Sequence, residues 1–167
     1  MAMNKKTWSI LFLALIVGLY VIWCTDWLKP VPRFEPASLS LGKLTELTNQ
    51  ARAKEKLPPL APSALLTNAA QLKAVDILRN QYFRHAGPFG KNLQYWLKKV
   101  GYKYSEAGEN LSLNFYSEEG VIKNWLESPK HRANILDKDF TEIGLAAIAG
   151  RFRGVDTVIV VQMFGRP

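Results

Sequence analysis

The strongest indication of the fold is an almost continuously apolar run near the end of the chain, Val155-Asp-Thr-Val-Ile-Val-Val-Gln-Met-Phe164. Such a run is typical of a central strand covered on both faces. Upstream, Ile143, Leu145 and Ala147 alternate on one face and predict a second strand, with residues 150–154 as the hairpin loop between the two. We therefore expect a sheet sandwiched between helical layers, with the helices first in the chain and the paired strands last.

The helices are predicted from apolar residues three and four positions apart. Residues 39–56 show this spacing, and Ser63 begins a second helix through Gln81. One face of that second helix carries the stripe Leu66, Ala70, Ala74 and Ile77. Shorter helices are predicted at 93–100 and 117–127, and residues 108–115 are expected to be extended.

Residues 1–28 are predicted to form a cytoplasmic stub and a transmembrane signal anchor. The run from Trp8 to Leu28 carries one charge, Asp26, near its far end. About twenty helical residues span a hydrocarbon core of roughly 30 Å. Lys5 and Lys6 precede the run, so the positive-inside rule places the remainder outside the cytoplasm. We expect a single-pass protein of the cell membrane with an extracytoplasmic C-terminal domain.

Two alternatives to an uncleaved anchor stay open. A cleaved signal peptide would give a secreted product, but bulky Trp23 stands directly before Cys24, where a small residue is expected. The remaining alternative is a buried core helix.

Cys24 is the only cysteine, so no disulfide forms within one chain and the outer domain has no thiol nucleophile. Residues 29–38 are read as a proline-rich linker, and residues 39–167 as the domain itself.

The charge of the outer domain indicates its partners. The chain has a net charge of +8, and residues 37–167 carry 18 basic and 12 acidic side chains. A basic domain outside the membrane would be drawn to anionic lipid, an acidic cell-wall polymer or an envelope protein. Nucleic acid is not expected at this location. The alternative is a solvated surface with no partner.

The candidate chemistry lies in His85, His131 and Glu109, which are each weak signals alone. Six phrases that contain or flank them are more specific, and in this order they resemble the CAP superfamily (cysteine-rich secretory proteins, antigen 5, pathogenesis-related 1), in its bacterial SCP-like branch. The phrases are Leu47-Thr-Asn-Gln-Ala-Arg-Ala53, Leu57-Pro-Pro-Leu60, Tyr82-Phe-Arg-His85, Gly101-Tyr-Lys-Tyr-Ser-Glu-Ala-Gly-Glu-Asn110, Trp125-Leu-Glu-Ser-Pro-Lys-His-Arg-Ala-Asn-Ile-Leu136 and Phe140-Thr-Glu-Ile-Gly144.

The resemblance implies an α+β fold, a three-layer α-β-α sandwich with a cleft lined by two histidines and acidic groups. His85, Glu109 and His131 match three residues of that cleft. Many members of the superfamily add a second glutamate, at the position where this chain has Ser128. Glu127 lies one residue earlier and is an alternative acidic group for the cleft.

Two imidazoles and a carboxylate are ligands that suit one divalent metal such as zinc. Without metal, Glu109 would orient a histidine and make it a general base near neutral pH. No activated serine is evident, since Ser112 and Ser128 are the nearest candidates and Ser128 is better explained as a helix cap. We therefore expect a binding module rather than an enzyme. A hydrolase acting on peptide or cell-wall material, and a purely structural role in the envelope, are the alternatives.

Overall fold

The computed structural model describes the backbone of Glu35–Pro36 and all of residues 38–167. The membrane anchor predicted at residues 1–28 lies outside this part of the chain. Within it, no helix combines the length and apolar character needed to cross a membrane.

Five helices and five strands make up the described domain. The helices are α1 (Leu41–Lys54), α2 (Ala64–Asn80), α3 (Leu93–Val100), α4 (Glu118–Glu127) and α5 (Pro129–Ile135), with a short 3-10 turn at Pro88–Gly90. The strands are β1 (Glu35–Pro36), β2 (Ala61–Pro62), β3 (Glu106–Leu113), β4 (Glu142–Phe152) and β5 (Val155–Arg166).

All the strands belong to one sheet. The order is β1-β4-β5-β3, and β2 adds a short parallel pairing to the start of β4. The three long strands are antiparallel to their neighbours, with Glu109 opposite Met163 and Gly144 also opposite Met163 on the other side. Strand β5 is therefore central, and β3 is an edge strand.

Helices cover both faces of the sheet and form three layers. Alternate residues of β5 point to opposite sides, because the side-chain period of a strand is two. Ile159 and Val161 face the core formed with α2 and α3, whereas Val160 and Phe164 face the core formed with α1, α4 and α5. This arrangement confirms the predicted mixed fold with a doubly covered central strand.

The ends of the helices follow ordinary capping chemistry. The side chains of Ser40, Asn92 and Ser117 each accept a backbone N–H bond in the first turn of the helix that follows. Gly101 ends α3 with φ of 76°, a conformation that glycine adopts without strain. Ser63 stands at the predicted N-cap position of α2, although its side chain makes no capping bond.

The main differences from the sequence analysis are short strands. β1 lies inside the stretch 29–38 that was read as a linker, and β2 lies in the proline-rich stretch after α1. Two-residue strands have no periodicity to read, and proline is tolerated at a sheet edge. The hairpin loop is also shorter than the predicted 150–154, because β4 runs to Phe152 and β5 begins at Val155.

Candidate functional site

The site is centred on a hydrogen bond between His85 and Glu109. His85 lies in the loop after α2, and Glu109 lies in edge strand β3. The Nδ1 atom of His85 is 2.8 Å from Oε1 of Glu109. The carboxylate is buried, with 3% of its side chain exposed, whereas the imidazole is 63% exposed. Since a carboxylate accepts, the proton of this bond is on Nδ1, and Nε2 is the ring nitrogen that lies outside the bond.

A buried lysine holds the loop that carries His85. Lys73 is fully buried in α2, and its Nζ donates to the backbone carbonyls of Arg84 at 3.0 Å and of His85 at 2.6 Å. Burial lowers the pKa of Lys73, while the negative charges of Glu109 and Asp76 act in the opposite direction. The ammonium group therefore supplies a positive charge near the buried carboxylate of Glu109.

A second buried charge stabilises the same loop. Asp76 accepts hydrogen bonds from the Tyr82 hydroxyl and from Nζ of Lys91, each at 2.7 Å. Burial raises the pKa of Tyr82, and the bond to Asp76 raises it further, so the phenol stays protonated and donates. Gly87 is required beside this bond, because a Cβ there would lie 2.5 Å from the Tyr82 hydroxyl oxygen.

Sequence reasoning missed Lys73 and Asp76 because charged residues are usually exposed on helices. The signal was available: Lys73 follows Ala70 by three residues and precedes Ile77 by four, so it lies on the apolar stripe of α2. A charge on the buried face of an amphipathic helix indicates a buried partner.

His131 approaches from the opposite helical layer. It lies in α5, and its backbone carbonyl accepts a bond of 3.1 Å from the side-chain amide of Asn110. Asn110 also donates to Gln162 on β5 at 3.0 Å, and Gln162 donates to Thr48 on α1 at 3.0 Å. This chain of neutral groups connects α1, β5, β3 and α5 through the core.

Asn134 ties α5 to the edge of the sheet. Its side-chain amide donates to the backbone carbonyl of Glu109 at 3.1 Å and to Oδ1 of Asn110 at 2.8 Å. Gly108 permits this approach, because a Cβ there would lie 2.9 Å from the Phe140 ring and 3.1 Å from Oδ1 of Asn134. The Gly-Glu-Asn motif therefore combines a close approach, a buried carboxylate and a core amide.

Two causes lower the pKa of His131. Desolvation lowers the pKa of His131, and the positive charge that His85 can carry lowers it further. Since successive strand residues point to opposite faces, Glu109 and Asn110 face different helical layers. His85 is therefore bound to β3 from one helical layer, through Glu109, and His131 is bound to it from the other, through Asn110.

Two buried polar atoms of the site have no hydrogen-bond partner within the described residues: Oε2 of Glu109 and Nδ1 of His131. Buried polar groups are nearly always satisfied, so each orphan indicates a water, an ion or a ligand. A divalent metal fits these donors chemically. The ligand atoms of His85, Glu109 and His131 do not, however, all lie within 4.8 Å of one another. Among residues 38–167, one set of three does, and it consists of Glu106, Asp137 and Asp139.

The other residues singled out from the sequence lie elsewhere. Glu127 is exposed on α4, 3.9 Å from Lys123, and does not join the His85–Glu109 pair. Ser128 stands between α4 and α5, directly before Pro129, and so occupies the predicted cap position. Ser112 is buried two residues beyond Asn110 on the same face of β3, and therefore faces away from Glu109.

Comparison with known proteins agrees with this fold. The profile of the CAP family, described as the cysteine-rich secretory protein family, matches residues 45–164. The chain is 36% identical over 115 residues to the uncharacterized protein YkwD of Bacillus subtilis, a match that covers 68% of this chain and 45% of that protein. It is 28% identical over 122 residues to the uncharacterized membrane protein YlbC of the same species, covering 73% and 33% of the two chains.

Among solved structures, the chain superimposes on an extracellular protein containing a SCP domain from Bacillus anthracis. The TM-score is 0.66 with 28% identity, covering 75% of this chain and 40% of the other. The fold is that of a mixed α/β domain of the CAP type. The chain belongs to the CAP superfamily, in the form found in bacteria. It spans less than half the length of the two curated relatives that it matches.

Proposed function

We propose that the chain is a membrane-anchored, extracytoplasmic binding module in which His85, Glu109 and His131 together hold a ligand, with a divalent metal such as zinc as the expected cofactor. The observation that carries this proposal is the pair of orphaned buried atoms, Oε2 of Glu109 and Nδ1 of His131, beside an exposed imidazole. Most buried polar groups in folded proteins are hydrogen-bonded, so two such atoms at one site favour a bound ligand or ion.

The location of the domain is part of the proposal. The apolar run from Trp8 to Leu28 supports an anchor. One relative is named a membrane protein, and the solved relative from Bacillus anthracis is named extracellular. In that setting the partners would be a lipid, an anionic cell-wall polymer or an envelope protein, and no nucleic acid is expected.

The residues present suit a metal in their chemistry. Glu109 fixes the tautomer of His85 and leaves Nε2 free, which is how carboxylates commonly orient metal-binding histidines. The lowered pKa of His131 keeps that imidazole neutral, and only a neutral imidazole is a ligand. A bound ion would supply Lewis acidity and an attachment point for an oxygen-bearing group.

Calorimetric titration of the full chain with Zn²⁺ tests the proposal. We expect one saturable site that is lost in the double variant His85→Ala/His131→Ala and retained in Glu127→Gln, a matched change at an exposed carboxylate. Saturable binding that survives in the folded double variant would place the metal elsewhere and overturn the proposal.

Hydrolysis is the second candidate, favoured by the 2.8 Å bond between His85 and Glu109. A carboxylate-oriented imidazole is a general base for water near neutral pH. The hydrolase reading requires that Glu109→Gln abolish turnover of a peptide or cell-wall substrate while the melting temperature changes little. Unchanged turnover in that variant would remove this candidate. Ser112 supplies no nucleophile, since it faces the other layer.

A further inference from the structure

The positive charge of the domain is concentrated in one segment. Residues 77–105 carry six basic side chains and no acidic one, whereas the rest of residues 37–167 carries twelve of each. One of the six, Lys91, is paired with the buried Asp76. The other five (Arg79, Arg84, Lys98, Lys99 and Lys103) are exposed. The net charge of the domain therefore lies almost entirely on the surface formed by this segment.

Exposed aromatic side chains lie in the same segment. Phe83, Tyr95 and Tyr104 are each more than a third exposed, and Phe89 is 95% exposed. Phe89 stands in the 3-10 turn with φ of 59°, a left-handed conformation that is strained for a residue with a Cβ. At this exposure the ring makes little contact with the part of the chain that the structure describes, and strain of this kind concentrates at functional sites.

Several of these side chains lie on α3 or on the turn that is bonded to its start. Tyr95, Lys98 and Lys99 lie three and four residues apart on α3 and so share its outer face. Nζ of Lys99 lies 5.8 Å from the centre of the Tyr95 ring. The turn that carries Phe89 is tied to the start of α3 by the backbone bond from Gly87 N to the carbonyl of Lys91, at 3.0 Å.

We propose that residues 79–104, the basic aromatic surface, dock on an anionic lipid bilayer, with the Phe89 ring inserted among the acyl chains. This inference rests on the proposed function only in that it needs a membrane facing the domain. Exposed lysines and arginines are attracted to anionic headgroups, and aromatic rings favour the interface between headgroups and hydrocarbon. The surface thus has both components of interfacial membrane binding.

The shape of the surface selects a bilayer over other anionic partners. Phe89 is 95% exposed on a turn, so a folded protein would need a matching pocket for its ring. A linear polyanion would pair with the lysines and leave the ring in water. A fluid bilayer accepts a protruding ring wherever it enters, and removes it from water.

The test uses the full chain in vesicles with an environment-sensitive dye attached at residue 89, through Phe89→Cys in a Cys24→Ser background. We expect the dye to become shielded from an aqueous quencher in vesicles of phosphatidylcholine with phosphatidylglycerol, but not in phosphatidylcholine alone. High salt should reverse the shielding, because it screens exposed charges. The same dye at Leu65, an exposed residue at the opposite end of α2, should remain accessible.

Charge variants test whether membrane binding depends on this surface or on the overall charge of the domain. Lys98→Gln/Lys103→Gln should lower the affinity for anionic vesicles by about fivefold for each charge removed, and the shielding should decrease accordingly. Lys123→Gln/Lys130→Gln removes the same charge from exposed positions on α4 and α5, and should leave the shielding unchanged. No added metal is needed, so failure here leaves the zinc titration at His85 as a separate result. Equal shielding at residues 65 and 89, no shielding in anionic vesicles, or shielding by soluble poly(glycerol phosphate) alone would overturn the proposal.

Discussion

The two histidines of the site are held by two different kinds of buried scaffold. The loop of His85 is fixed by charges, Lys73 and Asp76, both within α2. The helix of His131 is joined to β3 by neutral amides, those of Asn110 and Asn134, and a buried charge contacts only its last residue, Ile135, which accepts from Arg52. Removing one partner of a buried charge pair destabilises a protein severely, because the other charge is left buried alone. In a chain of amides, each hydrogen bond contributes less to the free energy of unfolding.

The largest effect is expected from Lys73→Ala. It removes the donor to two loop carbonyls and leaves Glu109 buried without its nearby positive charge. The free energy of unfolding should fall by about 3 kcal/mol. Denaturant unfolding measures it, with Lys98→Ala as the control at an exposed site, where little change is expected. A loss from Lys73→Ala no larger than that of the control would refute the charged scaffold.

Asn110→Ala should have the next largest effect. The change removes the link between His131, Asn134 and Gln162, and should lower the free energy of unfolding by about 2 kcal/mol. Asn68→Ala, at an exposed position of α2, serves as the matched control. The loss should be insensitive to salt, because the groups are neutral. A strongly salt-dependent loss would contradict the contrast between the two scaffolds.

Tyr82→Phe isolates one bond of the charged scaffold. It removes the 2.7 Å hydrogen bond to Asp76 but keeps the ring, and should lower the free energy of unfolding by about 1–2 kcal/mol. Tyr104→Phe is the matched control, since Tyr104 is more exposed. Thermal unfolding of both variants decides the point, and equal melting temperatures would mean that the bond contributes nothing.

The smallest effect is the pH dependence that His131 contributes. Its pKa in the folded protein lies below the ordinary value of 6.5, so the unfolded chain binds more protons below that pH. The free energy of unfolding should therefore decrease as the pH falls below 6.5, and this part of the decrease should be absent in His131→Gln. Urea titrations at several pH values measure it. A pH profile identical in the variant and the parent would contradict the burial of His131.

The comparison also explains what the sequence could and could not predict. The central strand and the main helices follow from local patterns. The resemblance to the CAP superfamily implies that His85 and Glu109 line one cleft, and their hydrogen bond is a finding of the structure. Lys73 was not predicted as a buried residue, because a lysine on a helix is expected to be exposed to solvent unless the structure shows buried acceptors, here the carbonyls of Arg84 and His85. The exposure of Glu127 depends on how α4 packs. Its position one residue before that of the superfamily's second glutamate does not show which way the side chain faces.

The central claim is that both histidines belong to one site, and the chain contains only these two. Nitrogen NMR of the imidazoles in the full chain during a Zn²⁺ titration tests it most directly. We expect the signals of His85 and His131 to change together with a single midpoint, and Glu109→Gln to weaken the response of both. A response of one imidazole alone, or two separate midpoints, would contradict it.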